Sequence, residues 1–335
     1  MPKRTRPRHG SLQYWPRRRA KRIITRTSHW PESKEARVLG FAGWKAGMTH
    51  VQLVDNNSKS PTYGKIIVKP VTVLDAPSLF VAAIRFYKTS LSRTAVGEKW
   101  AKLPKDLKLK IMTNSKSQTA GEKPTDVQRT SSASSHTFSK DFDDVRLVVA
   151  TQPAKSGMHA TKSDVFEMAV GGSKEQKLAH CESLLGKEIS GKDVFKPGEF
   201  ADVSAVTRGY GFMGPVKRFH IRIQTRKDKQ MHRHVGSIGS TVPRHIDWRV
   251  PAAGQYGYFA RTEFSKKLIM IDEDAAKVMP KGGFVGYGLP KSVILIEGSV
   301  PGPSKRLIRL RKAARMNKLL PVEVKYISQE SKQGT

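Results

Sequence analysis

Val38-Leu-Gly-Phe-Ala-Gly-Trp-Lys-Ala-Gly-Met-Thr-His-Val-Gln-Leu-Val54 is the first stretch of the chain with enough apolar side chains to bury itself. Its two apolar runs, residues 38–44 and 51–54, are too short for helices and rich in Val, Leu and Phe, so they read as strands. Residues 65–74 and 79–87 repeat the pattern, with the turn formers Asp55-Asn56-Asn57 and Asp75-Ala76-Pro77 between the runs. Short strands at this spacing favour a barrel or sandwich over a doubly wound parallel sheet, and the expected fold class is mainly β.

Outward from that stretch, strands are also expected at 145–150, 165–170, 267–271 and 293–297, with one or two more within 193–206. One clear helix is predicted from Ser173. Gln176 stands three residues on as a capping-box partner, Leu178, Cys181, Leu184 and Leu185 share one face, and Gly186 can close the C-terminus. Cys181, the only cysteine, therefore reads as a packing residue. A second, short helix is expected over 272–279, stopped by Pro280, and the Ser/Thr-rich stretch 128–139 as a mobile surface insertion.

Charge sets the partner. Among 335 residues, 61 Lys and Arg face 28 Asp and Glu, a formal net charge of +33. Self-repulsion of that size opposes a compact monomer, whereas a polyphosphate neutralises it and releases condensed counterions. The first 26 residues contain no acid, and Arg4, Arg6, Arg8, His9, Arg17, Arg18, Arg19, Lys21 and Arg22 are interleaved with Tyr14 and Trp15. Such an arm cannot build a core alone and is expected to order on nucleic acid. No apolar run is long enough for a membrane span, and one cysteine rules out an intramolecular disulfide framework.

Residues 207–261 form a second cationic block, rich in Gly, His and Arg and too long for an ordinary connection. Candidate RNA contacts here are Arg208, Lys217, Arg218, His220, Arg222, Arg226, Lys227, Lys229, His232, Arg233 and His234. Arg244, His245, Trp248, Arg249 and Arg261 continue them, since arginine and histidine beside aromatic rings suit phosphate contacts and base stacking. Lys45 and the C-terminal Arg306, Arg309 and Arg311 complete the set by charge and position. Gly209-Tyr-Gly-Phe-Met-Gly214 matches a dinucleotide fingerprint, but Pro215 opens an alternating basic and apolar run expected to be extended, where the fingerprint needs a helix N-terminus. His232, His234 and His245 have no cysteine or carboxylate close by except Asp247, the surrounding arginines oppose a dication, and no nucleophile constellation occurs. No cofactor, metal, membrane or small-molecule substrate is expected. A free RNA-binding protein or RNA chaperone remains compatible with composition.

Motifs narrow the choice. Pro7-Arg-His-Gly-Ser-Leu-Gln-Tyr-Trp-Pro-Arg-Arg-Arg-Ala20 and Gly43-Trp-Lys-Ala-Gly-Met-Thr-His50 resemble segments of the large-subunit ribosomal protein L3 (uL3) family in its archaeal form. Thr207-Arg-Gly-Tyr-Gly-Phe-Met-Gly214, Gly236-Ser-Ile-Gly239, Ala253-Gly-Gln-Tyr-Gly257 and Glu297-Gly-Ser-Val-Pro-Gly-Pro303 follow in that family's order. The resemblance implies a six-stranded translation-protein-type β-barrel, an inserted α/β subdomain, and two extensions running into large-subunit rRNA. It divides the chain into a basic N-terminal rRNA-binding extension (1–37), the first part of the barrel (38–90), the insertion (91–192) and a barrel return (193–206). An rRNA-penetrating loop (207–262), the barrel's completion (263–304) and a basic C-terminal extension (305–335) follow. It also implies a cytoplasmic, non-enzymatic protein that acts early in subunit assembly, sends its loop toward the peptidyl transferase centre and touches neighbours such as uL14. Eukaryotic relatives carry a tryptophan at the loop tip where Thr241 stands.

Overall fold

The computed structural model describes residues 11–104, 107–110, 142–239, 242, 244–316 and 319–330. In chain order, β1 (Gly40–Val54) and β2 (Ile66–Asp75) precede β3 (Leu79–Thr89), β4 (Arg93–Trp100), β5 (Asp144–Ala150) and β6 (Val165–Ala169). Next come α1 (Lys174–Leu184), β7 (Glu188–Ile189), α2 (Gly191–Val194) and β8 (Phe200–Val206). β9 (Gly209–Met213), α3 (Pro215–Phe219), β10 (Gly254–Gly257), β11 (Ala260–Asp272), β12 (Val293–Glu297), β13 (Leu307–Lys312) and β14 (Glu323–Ile327) complete the chain. Two compact units result: the arm up to Thr25 with Val206–Arg261, and Arg26–Ala205 with Thr262 onward.

The fold is mainly β. In the larger unit the strand order β13-β8-β11-β12-β2-β1 closes on itself because β13 also pairs with β1, giving a six-stranded ring with β14 added beside the far end of β1. Closure removes the open sheet edges that would otherwise invite aggregation. Phe41, Leu74, Leu268, Ile269, Ile294 and Leu295 are among its fully buried side chains. The two apolar runs that open the barrel are one continuous strand, β1, whose length lets it pair with β13 near one end and β14 near the other.

A second sheet, ordered β4-β3-β5-β6 with β7 beside β3, carries α1 against it. Here the structure corrects the expected boundary: β3, placed in the barrel by sequence, is a central strand of this second sheet. Its first six residues are all buried, as a strand covered on both faces requires. Around α1, Ser173 accepts from Gln176 N–H while Gln176 caps Ser173 N–H in return, Cys181 is wholly buried, and Gly186 adopts φ +77°. Residues 274–279, by contrast, form turns rather than the expected helix; the Asp272 and Asp274 carboxylates each accept from backbone N–H one or two residues on and hold the chain in local turns.

The basic C-terminal extension is also different from expectation. Residues 307–312 are the barrel strand β13, and every one of them is buried. Period-two alternation puts Ile308 and Leu310 on one face and Arg309 and Arg311 on the other. Arg311 faces Asp202 directly across the β13–β8 ladder, with Nε and Nη2 3.0 and 2.9 Å from Oδ2. Asp202 also accepts from Ser265 N–H at 2.9 Å and Ala314 N–H at 3.2 Å, and Arg311 donates to the His29 carbonyl. Arg309 donates to the Glu167 carbonyl at 2.5 Å and lies 4.7 Å from the Phe166 ring, tying the barrel to β6; burial lowers its pKa to about 10.

Breaking the Asp202–Arg311 pair leaves a buried charge uncompensated. Asp202→Ala should therefore cost about 3–5 kcal/mol in urea unfolding followed by circular dichroism, whereas Glu188→Ala, which removes the exposed Lys155 pair, should cost under about 1 kcal/mol. Burial, with the Asp144 carboxylate nearby, pushes the Cys181 thiol up to about 12. Iodoacetamide at pH 8 should leave it unmodified in the native protein and alkylate it fully in denaturant.

Candidate nucleic-acid interface

The smaller unit is built on a two-stranded ribbon. β9 and β10 pair antiparallel, Met213 opposite Gly254 and Phe212 opposite Gln255, with an irregularity between Tyr256 and Gly257. Gly257 takes φ +71°, and a Cβ there would run into the Arg208 carbonyl oxygen, so the bend admits only glycine. A two-stranded ribbon is marginal alone, and aromatic packing supplies what it lacks. Phe219, at the end of α3, is 5% exposed; the Trp15 ring packs at 5.7 Å from it and meets Trp248 edge-on at 5.1 Å. Tyr210 stacks on Tyr256 with centroids 5.2 Å apart.

Arginines lace the arm to this ribbon. The Arg17 guanidinium sits 4.3 Å from the Phe219 ring and donates to the Arg218 carbonyl at 2.7 Å. Arg218 donates in turn to the carbonyls of Gln255 at 3.1 Å and Ala252 at 2.8 Å, and Ala20 N–H reaches Tyr258 O at 2.8 Å. Cations also lie over rings at Arg19 on Tyr258, Arg261 on Tyr14, Arg249 on Trp248 and Lys217 on Tyr210. A cation seated over a ring is held in place by the ring's quadrupole while keeping its charge for a phosphate.

Exposure then sorts the candidates. Arg18, Arg19, Lys21, Arg22, Arg208, Lys217, His220, Arg222, Arg226, Lys227, Lys229, Arg233, His234, Arg244, His245, Arg249 and Arg261 are all exposed, whereas Trp15, Arg17, Arg218 and His232 are half-buried. Between 207 and 261 eleven Lys and Arg face only Asp228 and Asp247. Both carboxylates are occupied by their own turns: Asp228 accepts from Thr225 N–H and Oγ1–H, and Asp247 from Arg249 N–H. Two carboxylates cannot neutralise eleven cations, which makes a dense anion the natural partner of this surface.

Several expected contacts are placed elsewhere. Arg309 and Arg311 are interior barrel residues with internal partners, a correction that follows from their position on β13. Lys45 donates to the carbonyls of Val300 and Gly302 at 2.7 and 3.0 Å, with burial lowering its pKa, so it ties β1 to that loop. Arg306 is half-buried just before β13. Arg4, Arg6, Arg8, His9 and Thr241 lie outside the described residues, as does the 128–139 stretch. Residues 215–219 form the short helix α3 instead of an extended run, because Pro215 suits a first helical turn. The 209–214 glycines sit in and beside a strand paired to β10, so they serve a ribbon and not a pyrophosphate turn. Tyr210, Phe212, Phe219 and Tyr258 are not among the candidate contacts drawn from the sequence; the signal for three of them is aromatics alternating with glycines at Gly209-Tyr-Gly-Phe212 and Tyr256-Gly-Tyr258.

Among the described residues no group of three His, Cys, Asp or Glu could hold a metal, and no helix is long and apolar enough to cross a membrane. A cleft of about 390 Å³ in the larger unit is lined by Lys155, Glu188, Lys192 and Asp272, but its charges are paired with one another.

The chain is similar to known proteins over nearly its whole length. The family model described as ribosomal protein L3 matches residues 1–334. The chain is 45% identical over 338 residues to the large ribosomal subunit protein uL3 of Methanopyrus kandleri, covering 98% of this chain and 92% of that protein. Its counterpart from Archaeoglobus fulgidus is 44% identical with 98% of each covered, and that from Methanococcus vannielii 42% with 99% of each covered.

The sorting by exposure has a measurable consequence. Alanine at Arg222, Arg226, Arg233 and Arg244 together should weaken RNA binding and flatten the slope of log K against log salt by about 0.7–0.9 for each phosphate no longer neutralised, while Arg309→Ala should lower stability and leave the slope unchanged.

Proposed function

The chain belongs to the ribosomal protein L3 family, and on that footing we propose that its smaller unit is the part that grips large-subunit rRNA. As a member it is a cytoplasmic protein of the large ribosomal subunit and not an enzyme. One observation carries the proposal: the arm and the long internal segment form a single unit in which cations far outnumber acids.

In this reading the exposed arginines and lysines of the unit hold phosphates and release counterions, while the aromatic framework keeps them spaced. Cations seated on rings lose little freedom when a phosphate arrives, so less binding energy goes into ordering them. The 207–261 segment extends toward the peptidyl transferase centre, where catalysis belongs to RNA, and the protein organises rRNA early in subunit assembly. A neighbour such as uL14 meets it within the particle. The same charge would let a free RNA-binding protein or chaperone coat any duplex, and salt resistance separates the two: an integral component is locked by many contacts at once.

Sedimentation of a cell lysate through sucrose gradients at moderate and high salt, with immunoblotting, tests this. The protein should travel with large subunits at both salts. A position at the top of the gradient, or release at modest salt, would instead establish the free RNA-binding reading.

A further inference from the structure

The Gly209–Gly214 motif holds a feature that phosphate binding alone leaves unexplained. Phe212, next to the end of β9, is 78% exposed. Its strand neighbour Tyr210 is engaged, with Tyr256 stacked on its ring and the Lys217 ammonium 4.9 Å from its centroid. Phe212 has neither a ring nor a cation against it among the described residues. On either side the backbone is bare: a Cβ built on Gly211 or on Gly214 would meet nothing within 4 Å. Gly211 also takes φ +67°, a conformation that would strain a larger residue.

We infer that Phe212 is a stacking platform for one unpaired nucleobase of the large-subunit rRNA, with the sugar-phosphate chain passing over the open backbone at Gly211 and Gly214. This rests on the rRNA-binding reading above and deepens it. An apolar ring left in water gives up the stabilisation of burial, and an occupant with an apolar face would recover it. The surroundings select which occupant. Arg208 and Lys217 are exposed close by in sequence, and no acidic residue occurs from 207 to 227. A ligand with a flat π-face and an attached anion satisfies both conditions, and a nucleotide is that ligand. Bare glycines complete the fit, since a phosphate chain can approach a backbone that presents no side chains.

The test uses the full-length protein and an in vitro transcript of large-subunit rRNA, with affinity measured by filter binding across a salt series. F212A and F212L should each weaken binding about tenfold without changing the salt slope, because a stacked base carries no counterion release, and F212W should stay within about threefold of wild type. Circular dichroism should be unchanged, as the replaced ring is exposed. Affinity of F212A within twofold of wild type overturns the inference. Full retention by F212L does so as well, since that result assigns the ring to generic apolar contact, and so does a flattened slope for F212A, which assigns it to holding the cationic array. Wild-type protein lacking salt-dependent binding removes the rRNA-binding reading together with this one; salt-dependent binding indifferent to both F212A and F212L removes this one alone.

Discussion

The Asp202–Arg311 pair is the constraint on which the larger unit depends. It lies across the ladder between β8 and β13, and β13 is also the strand that meets β1 to close the ring. A buried guanidinium and carboxylate attract strongly only if their remaining hydrogen-bonding groups are satisfied. Here they are, through Ser265 and Ala314 N–H on one side and the His29 carbonyl on the other. A hydrophobic pair could fill that space. It would not bring residues 29, 202, 265, 311 and 314 to one point, and it would tolerate a slipped register that the ion pair does not.

Closure of the barrel also fixes the second sheet. Arg309, one pleat from Arg311, reaches the Glu167 carbonyl of β6. Asp75, fully buried at the end of β2, accepts from Tyr287 Oη–H at 2.7 Å and from Gly157 N–H at 2.8 Å, which joins the barrel to the loop after β5. The Tyr287 phenol is driven far above its ordinary pKa by burial and by that neighbouring carboxylate. Thus a few polar contacts, each saturated, position the inserted sheet on the barrel, while the apolar core supplies the bulk of the stabilisation.

Arginine does opposite work in the two units, and the physical difference is the company it keeps. In the barrel, Arg309 and Arg311 meet a carbonyl, a carboxylate and the Phe166 and Phe264 rings, and are covered. In the smaller unit, Arg19 and Arg261 lie over tyrosine rings and stay open to solvent. Charge counting cannot separate these cases. The first group is part of the fold, and the second is held ready for an anion.

Local pattern and composition were enough to establish the strand-rich class, the α1 cap at Ser173 and Gln176, the packing role of Cys181 and the cationic character of the arm and of residues 207–261. They could not show that β3 leaves the barrel, that residues 307–312 enter it, or that Arg309 and Arg311 are interior while Arg222 and Arg244 face water. Nor could they show that Trp15 would meet Phe219 and Trp248, more than two hundred positions away. Those outcomes were settled in three dimensions, since a strand's neighbours and a side chain's partners depend on how distant segments pair, and a buried and an exposed arginine look alike until the opposite strand is in place.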